Sequence, residues 1–141
     1  MRPVDTEGVQ RISAAFYRAF ESLDLARMEE VWSHDDHVVC VHPGWERLVG
    51  WKLVRASWEQ IFANTIDIQF HVEQASLRIS DDLAIMSVTE NLRSHVADGG
   101  VVGQVLATNV FERHNELWRV VAHHATPFVA RQTPPGDGMV H

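Results

Sequence analysis

The second half of this 141-residue chain consists of long stretches in which apolar and polar residues alternate, joined by very short turns. No other feature restricts the fold as strongly. Side chains alternate faces along a β-strand, so parity assigns each residue to a side. Ile66, Ile68, Phe70 and Val72 share one parity, and Ala75, Leu77 and Ile79 continue the apolar set on the other. A one-residue shift of this kind predicts a β-bulge near Gln74 and Ala75, which bends and twists a sheet. Turns are expected at Ser80-Asp81-Asp82, Asp98-Gly99-Gly100 and His114-Asn115-Glu116. Long strands with such short connections imply an antiparallel meander.

Helical periodicity dominates the first half. Val9, Ile12, Phe16, Ala19 and Leu23 mark a helix over Asp5–Ser22. Asp24 is a suitable cap for a short second helix with Leu25, Met28, Val31 and Trp32 on its inner face. Val38-Val39-Cys40-Val41 is a short strand stopped by His42-Pro43-Gly44. Trp51, Val54, Trp58, Ile61 and Phe62 mark a third amphipathic helix. Helices followed by a meander give an α+β class, with a long bent sheet wrapped around helices to leave a conical cavity. One domain over residues 1–130 is expected, with a disordered tail at 131–141 rich in proline and glycine.

Composition narrows the partners. The formal net charge is −7, and the 12 basic residues are scattered, which argues against a nucleic-acid partner. No apolar run approaches a membrane span, and Met1-Arg2-Pro3-Val4-Asp5 carries no apolar signal region, so a cytoplasmic protein is expected. Cys40 is the only cysteine, which excludes an internal disulfide and a cysteine zinc cluster. His34 and His37 flank Asp35-Asp36, but without a His-Glu-x-x-His pattern or a secure helical spacing no metal or other cofactor is expected.

Three polar residues interrupt the apolar faces of neighbouring strands. Glu90 follows Ala84, Met86 and Val88. Asn109 follows Val105 and Ala107. His124 follows Trp118, Val120 and Ala122. A polar group in an apolar face is costly unless it is paired or lines a cavity. Three on successive strands point to a shared concave site for a small organic ligand. Glu90 and His124 are the candidate acid/base pair, because burial raises a carboxyl pKa toward neutrality. Asn109 is placed to orient a ligand carbonyl, and His42, Trp45 and Trp58 are candidate wall residues. The alternatives are a structural carboxylate paired with Arg93, Arg113 or a tryptophan N–H, a core histidine bonded to a backbone carbonyl, and a Trp58 that is simply core. Val121, Leu83 and Ile85 fall on the opposite parity, which leaves apolar groups outside the cone and predicts a homodimer through the sheet.

The segments Val38–Trp45 with Leu48-Val49-Gly50-Trp51 and Ser57-Trp58, then Thr89-Glu90-Asn91, then Leu106–Phe111 with Trp118–Val121 and His123–Pro127, resemble the SnoaL-like branch of the nuclear-transport-factor-like and ketosteroid-isomerase-like superfamily. The resemblance covers about Val4 to Phe128. It implies a cystatin-like α+β barrel, a curved antiparallel sheet closed into a cone by three helices and commonly dimeric. Members of that superfamily include isomerases, dehydratases, polyketide cyclases and association domains. The expected function is therefore binding of an apolar or aromatic molecule in the cone. The alternatives are an acid/base isomerase, dehydratase or cyclase, and a ligand-free association module. The steroid isomerases pair an aspartate base with an oxyanion hole of tyrosine and protonated aspartate. Tyr17 is the only tyrosine here, it lies on the first helix, and no equivalent of that constellation can be placed from the sequence.

Overall fold

A computed structural model describes residues 3–96 and 99–128. The tail expected at 131–141, and part of the turn expected at Asp98, lie outside the described residues. Helix α1 (Pro3–Ser22) ends where Leu23 adopts a left-handed conformation with φ 53°. The Asp24 carboxylate then accepts from the Arg27 N–H at 3.2 Å and caps α2 (Leu25–Val31). Strands β1 (Val39–Val41) and β2 (Leu48–Val49) form a small hairpin, and α3 (Trp51–Asn64) follows. Gly50 leads into α3 at φ 95°, a conformation that favours glycine, and its N–H donates to the Val38 carbonyl at 2.8 Å.

The meander comprises β3 (Thr65–Ser80), β4 (Leu83–Val96), β5 (Gly99–His114) and β6 (Leu117–Phe128). Asn115 and Glu116, both with positive φ, make the two-residue turn between β5 and β6. The sheet runs β2-β1-β6-β5-β4-β3, with β1 parallel to β6 and every other pairing antiparallel. The class is α+β as expected. The sheet is strongly curved but does not close into a barrel, because β2 and β3 remain as edges. Helix α1 lies in the concavity against β3 and β6, with α2 and α3 packed on one side.

Among the described residues, three register shifts bend the sheet. The expected one is present: Gln74 faces Val88 and Ser76 faces Ser87, leaving Ala75 as the extra residue. A second sits at Ile66, which is exposed rather than part of the inner set with Ile68. The third was not anticipated. Val110 faces Ala122 while Phe111 faces Val120, so Val121 is the extra residue of β6. Trp118 and Val120 point inward, and after Val121 the inward residues become His123 and Ala125. This overturns two expectations: Val121 is buried instead of outward, and His124 is exposed instead of inward.

Close packing of α1 on β6 is visible at Gly8. A Cβ added there would lie 2.9 Å from Trp118 Cδ1. Alanine normally favours a helix interior over glycine by about 1 kcal/mol. Here the clash outweighs that gain, because Trp118 is held in the core and stacks under the Arg113 guanidinium at 5.1 Å. Gly8→Ala is expected to lower stability by about 1–2 kcal/mol, read from the urea midpoint; an unchanged or raised midpoint would contradict this packing.

Candidate functional site

Four buried polar side chains meet inside the cone. The Tyr17 hydroxyl on α1 donates to Glu90 Oε2 on β4 at 2.5 Å. Asn109 Nδ2 on β5 donates to the Tyr17 oxygen at 3.1 Å. His123 Nδ1 on β6 lies 2.6 Å from Asn109 Oδ1. An amide oxygen only accepts, so Nδ1 carries the imidazole proton and Nε2 is left bare. Glu90, Tyr17, Asn109 and His123 thus form one continuous chain from helix to three strands. All four are buried.

His42 belongs to the same region. It follows Cys40 on the inner parity of β1, and the Pro43-Gly44 turn brings the Trp45 N–H onto the His42 carbonyl at 2.9 Å. The turn has proline at its second position and a positive-φ glycine at its third, the type II pattern. Ser57 donates its one hydroxyl proton to the Val54 carbonyl at 2.6 Å. Its oxygen therefore accepts from His42 Nε2–H at 2.8 Å, and His42 Nδ1 holds the lone pair. The two imidazole rings, His42 and His123, are 6.4 Å apart.

The two ends of this network border a cavity of about 510 Å³ at the open end of the cone. Glu90, His123, His42 and Trp45 line it, among mostly apolar neighbours such as Phe20, Ile68, Phe70 and Val105. Trp45 stands at the mouth, 36% exposed, edge-on to His42 at 5.0 Å. Among the described residues that line the cavity there is no lysine or arginine.

Burial sets the proton affinities. Desolvation raises the Glu90 carboxyl to about 7, with the Tyr17 hydrogen bond pulling in the other direction. Tyr17 is pushed well above the usual phenol value, by burial first and then by the neighbouring Glu90 charge. Burial lowers His42 to about 4. Burial, with the nearby His42 and His124, lowers His123 to about 3. Cys40 is raised by burial and is an inert thiol. At neutral pH the cavity therefore presents two uncharged imidazoles and a carboxyl near its midpoint.

The sequence-based candidates divide accordingly. Glu90, His42 and Trp45 line the cavity. Asn109 points inward but sits behind the wall, where it joins Tyr17 to His123 instead of facing a ligand. His124 does not reach the cavity, because the Val121 bulge turns it to the outer face. Trp58 is wholly buried and does not line the cavity; it packs beneath His42 at 4.7 Å and against Phe16, Phe20 and Phe62. Among the described residues Glu90 is not paired with an arginine: Arg113 instead bonds Asp5 and Asp82. His34 and His37 do not converge, since His34 stacks on Trp51 at 4.4 Å while His37 faces Asp35 and Glu112.

Two site residues were missed. Tyr17 shares a helical stripe with Ser13 and Phe20, a spacing of four and three that was available to read. His123 is one of two adjacent histidines, one of which must face inward along a strand. Parity alone chose the wrong one.

The matches to known proteins agree with this architecture. Residues 9–130 match the model of the SnoaL-like domain. A protein from Streptomyces avermitilis, provisionally assigned as a dehydratase of the NTF2-like family, superposes with TM-score 0.85 at 33% identity, covering 92% of this chain and 100% of that one. A Thiobacillus denitrificans protein, provisionally assigned as a calcium/calmodulin-dependent protein kinase type II association domain, gives TM-score 0.76 at 35% identity, covering 85% and 94%. The Arabidopsis thaliana F-box protein SKIP8 is 31% identical over 121 residues, 86% of this chain, which spans about half the length of that relative. With a matched domain over most of its length and a curved open sheet around three helices, the chain belongs to the SnoaL-like family, within the NTF2-like group.

Proposed function

We propose that this protein binds an apolar or aromatic small organic molecule inside its cone. The carrying observation is the cavity of about 510 Å³, mostly apolar in its walls, into which Glu90, His42 and His123 face. Apolar walls with a few convergent polar groups are the usual form of a small-molecule site. An association module that bound no ligand would need neither the space nor the buried titratable groups, which are costly to keep. Native mass spectrometry of the purified protein should show a retained small molecule that His123→Gln releases while the melting temperature falls by only a few degrees. A variant that retains the molecule unchanged would remove His123 from the site.

A second reading is acid/base catalysis, favoured by one observation: a carboxyl at about 7 shares a cavity with an unprotonated imidazole. Glu90, at about 7, can give or take a proton at neutral pH, and the bare His123 nitrogen, held near 3, accepts a hydrogen bond that orients the reacting group, a combination suited to isomerisation, dehydration or cyclisation. The provisional assignment of the Streptomyces avermitilis relative as a dehydratase is consistent with this reading.

The Glu90 proton can be tested through stability. Folded Glu90 holds its proton up to about pH 7, whereas an unperturbed carboxyl releases it near 4.5. The folded state therefore binds more protons in that window, and this contribution is complete below it and lost as pH rises through 7. His42 and His123 run the opposite way, contributing above about 6.5 and losing that contribution as pH falls toward 4 and 3. Glu90→Gln removes only the first effect. The stability of the unsubstituted protein relative to the variant should fall by on the order of 3 kcal/mol between about pH 4.5 and pH 8 in urea titrations. A pH-independent difference would mean that Glu90 is an ordinary carboxylate.

The outer face of the sheet supports a homodimer. Across β4, β5 and β6 it presents three rows, Ile85–Val110–Ala122, Ser87–Thr108–His124 and Thr89–Leu106–Thr126. None carries an acidic or basic side chain except the imidazole of His124, on a chain of net charge −7. An uncharged patch of this kind meets a second copy across a twofold axis without like-charge repulsion. Sedimentation velocity should give a dimer at micromolar concentration, and Leu106→Glu a monomer of nearly unchanged melting temperature. A monomeric unsubstituted protein rejects the interface.

A further inference from the structure

We infer that the ligand of the cone is an uncharged molecule carrying a hydroxyl on an apolar ring system, and that this hydroxyl donates to His123 Nε2. The inference rests on the proposed binding function and names the class of ligand. Tyr17 and Asn109 are its positioning residues. Each link of the chain constrains the next. Glu90 Oε2 accepts from Tyr17 at 2.5 Å, so the Tyr17 oxygen is left to accept from Asn109 Nδ2 at 3.1 Å. The amide oxygen then turns to His123 and takes its Nδ1 proton at 2.6 Å. The imidazole is thereby fixed as the tautomer whose free nitrogen is an acceptor.

His42 is fixed in the same sense by an independent device. Ser57 spends its proton on the Val54 carbonyl and must accept from His42 Nε2. The second nitrogen of each imidazole is therefore an acceptor, that of His42 with the Cys40 sulfur 3.9 Å away and that of His123 left for the ligand, and burial keeps both rings neutral. Among the described residues the lining supplies no lysine or arginine to receive a carboxylate or phosphate, and an ionised Glu90 would repel one. A ligand that complements these groups brings a donor and no negative charge. A methyl ether of the same skeleton would leave the nitrogen unpaired, a loss that a site built for a hydroxyl penalises more than tenfold.

The test uses the unliganded protein and three naphthalene probes. In protein labelled with 15N-histidine, His123 should show a protonated Nδ1 and a bare Nε2 throughout neutral pH. By calorimetry, 2-naphthol should bind at least tenfold more tightly than 2-methoxynaphthalene and than 2-naphthoate. Tyr17→Phe keeps the ring that packs against Phe16 and Phe70 but removes the link to Glu90. In that variant the His123 tautomers should mix and the naphthol advantage should shrink toward the ether, an outcome that loss of packing alone would not produce. If naphthol and its ether bind equally, or naphthoate binds best, or Nε2 carries the proton, the inference falls while the cavity still binds. If none of the three probes binds, the binding function itself falls with it.

Discussion

The interior of this cone is organised around one buried chain of hydrogen bonds, Glu90–Tyr17–Asn109–His123. Each member would be costly to bury alone, since an unpaired buried polar group costs about 1–3 kcal/mol. Together they satisfy one another and tie α1 to β4, β5 and β6. The helix is therefore held at a defined depth and rotation in the concavity, with Phe16 and Phe20 against Trp58 on one side and Tyr17 against Phe70 on the other. The cavity beyond the chain stays open because the aromatic cluster ends at His42 and Trp45 instead of filling the mouth.

Polar satisfaction is not uniform through this interior. Trp58 and Trp32 bury their indole N–H groups without a partner among the described residues. Both sit deep in the aromatic cluster, and the large ring area that they bury offsets the unpaired donor. The contrast with Tyr17 is informative. Where a polar group belongs to the chain it is paired to within hydrogen-bond distance at every link, and where an aromatic serves as filling its polar atom is left over.

Much of this could be read from the sequence, and the failures have a common cause. The β3 bulge was legible because the apolar set changes parity there, from Phe70 and Val72 to Leu77 and Ile79. Glu90 and Asn109 were legible because each stands in an unbroken alternating run. The β6 bulge left no such trace. Val120, Val121 and Ala122 are all apolar, so either parity reads as an inner face and the shift has no visible position. Plain alternation therefore places His124 inside. Tyr17 does not stand out because it flanks Phe16, which already accounts for the helical stripe. Trp58 fits core and wall spacing equally well, and only its packing beneath His42 among Phe16, Phe20 and Phe62 makes it core.

The Val121 bulge links the two faces of the sheet. A regular strand would have put His124 inside and His123 outside, and Asn109, whose cross-strand partner is His123, would have faced a different group. One extra residue gives the cavity an imidazole whose Nδ1 meets the Asn109 oxygen, and places the next histidine opposite Thr108 on the outer face. Because strand parity has a period of two, these assignments cannot vary separately. Loss of the bulge, with Phe111 still opposite Val120, would alter the chain to Glu90 and the outer face of the sheet together. The inner chemistry and the outer face of this protein are in that sense two consequences of a single irregularity in one strand.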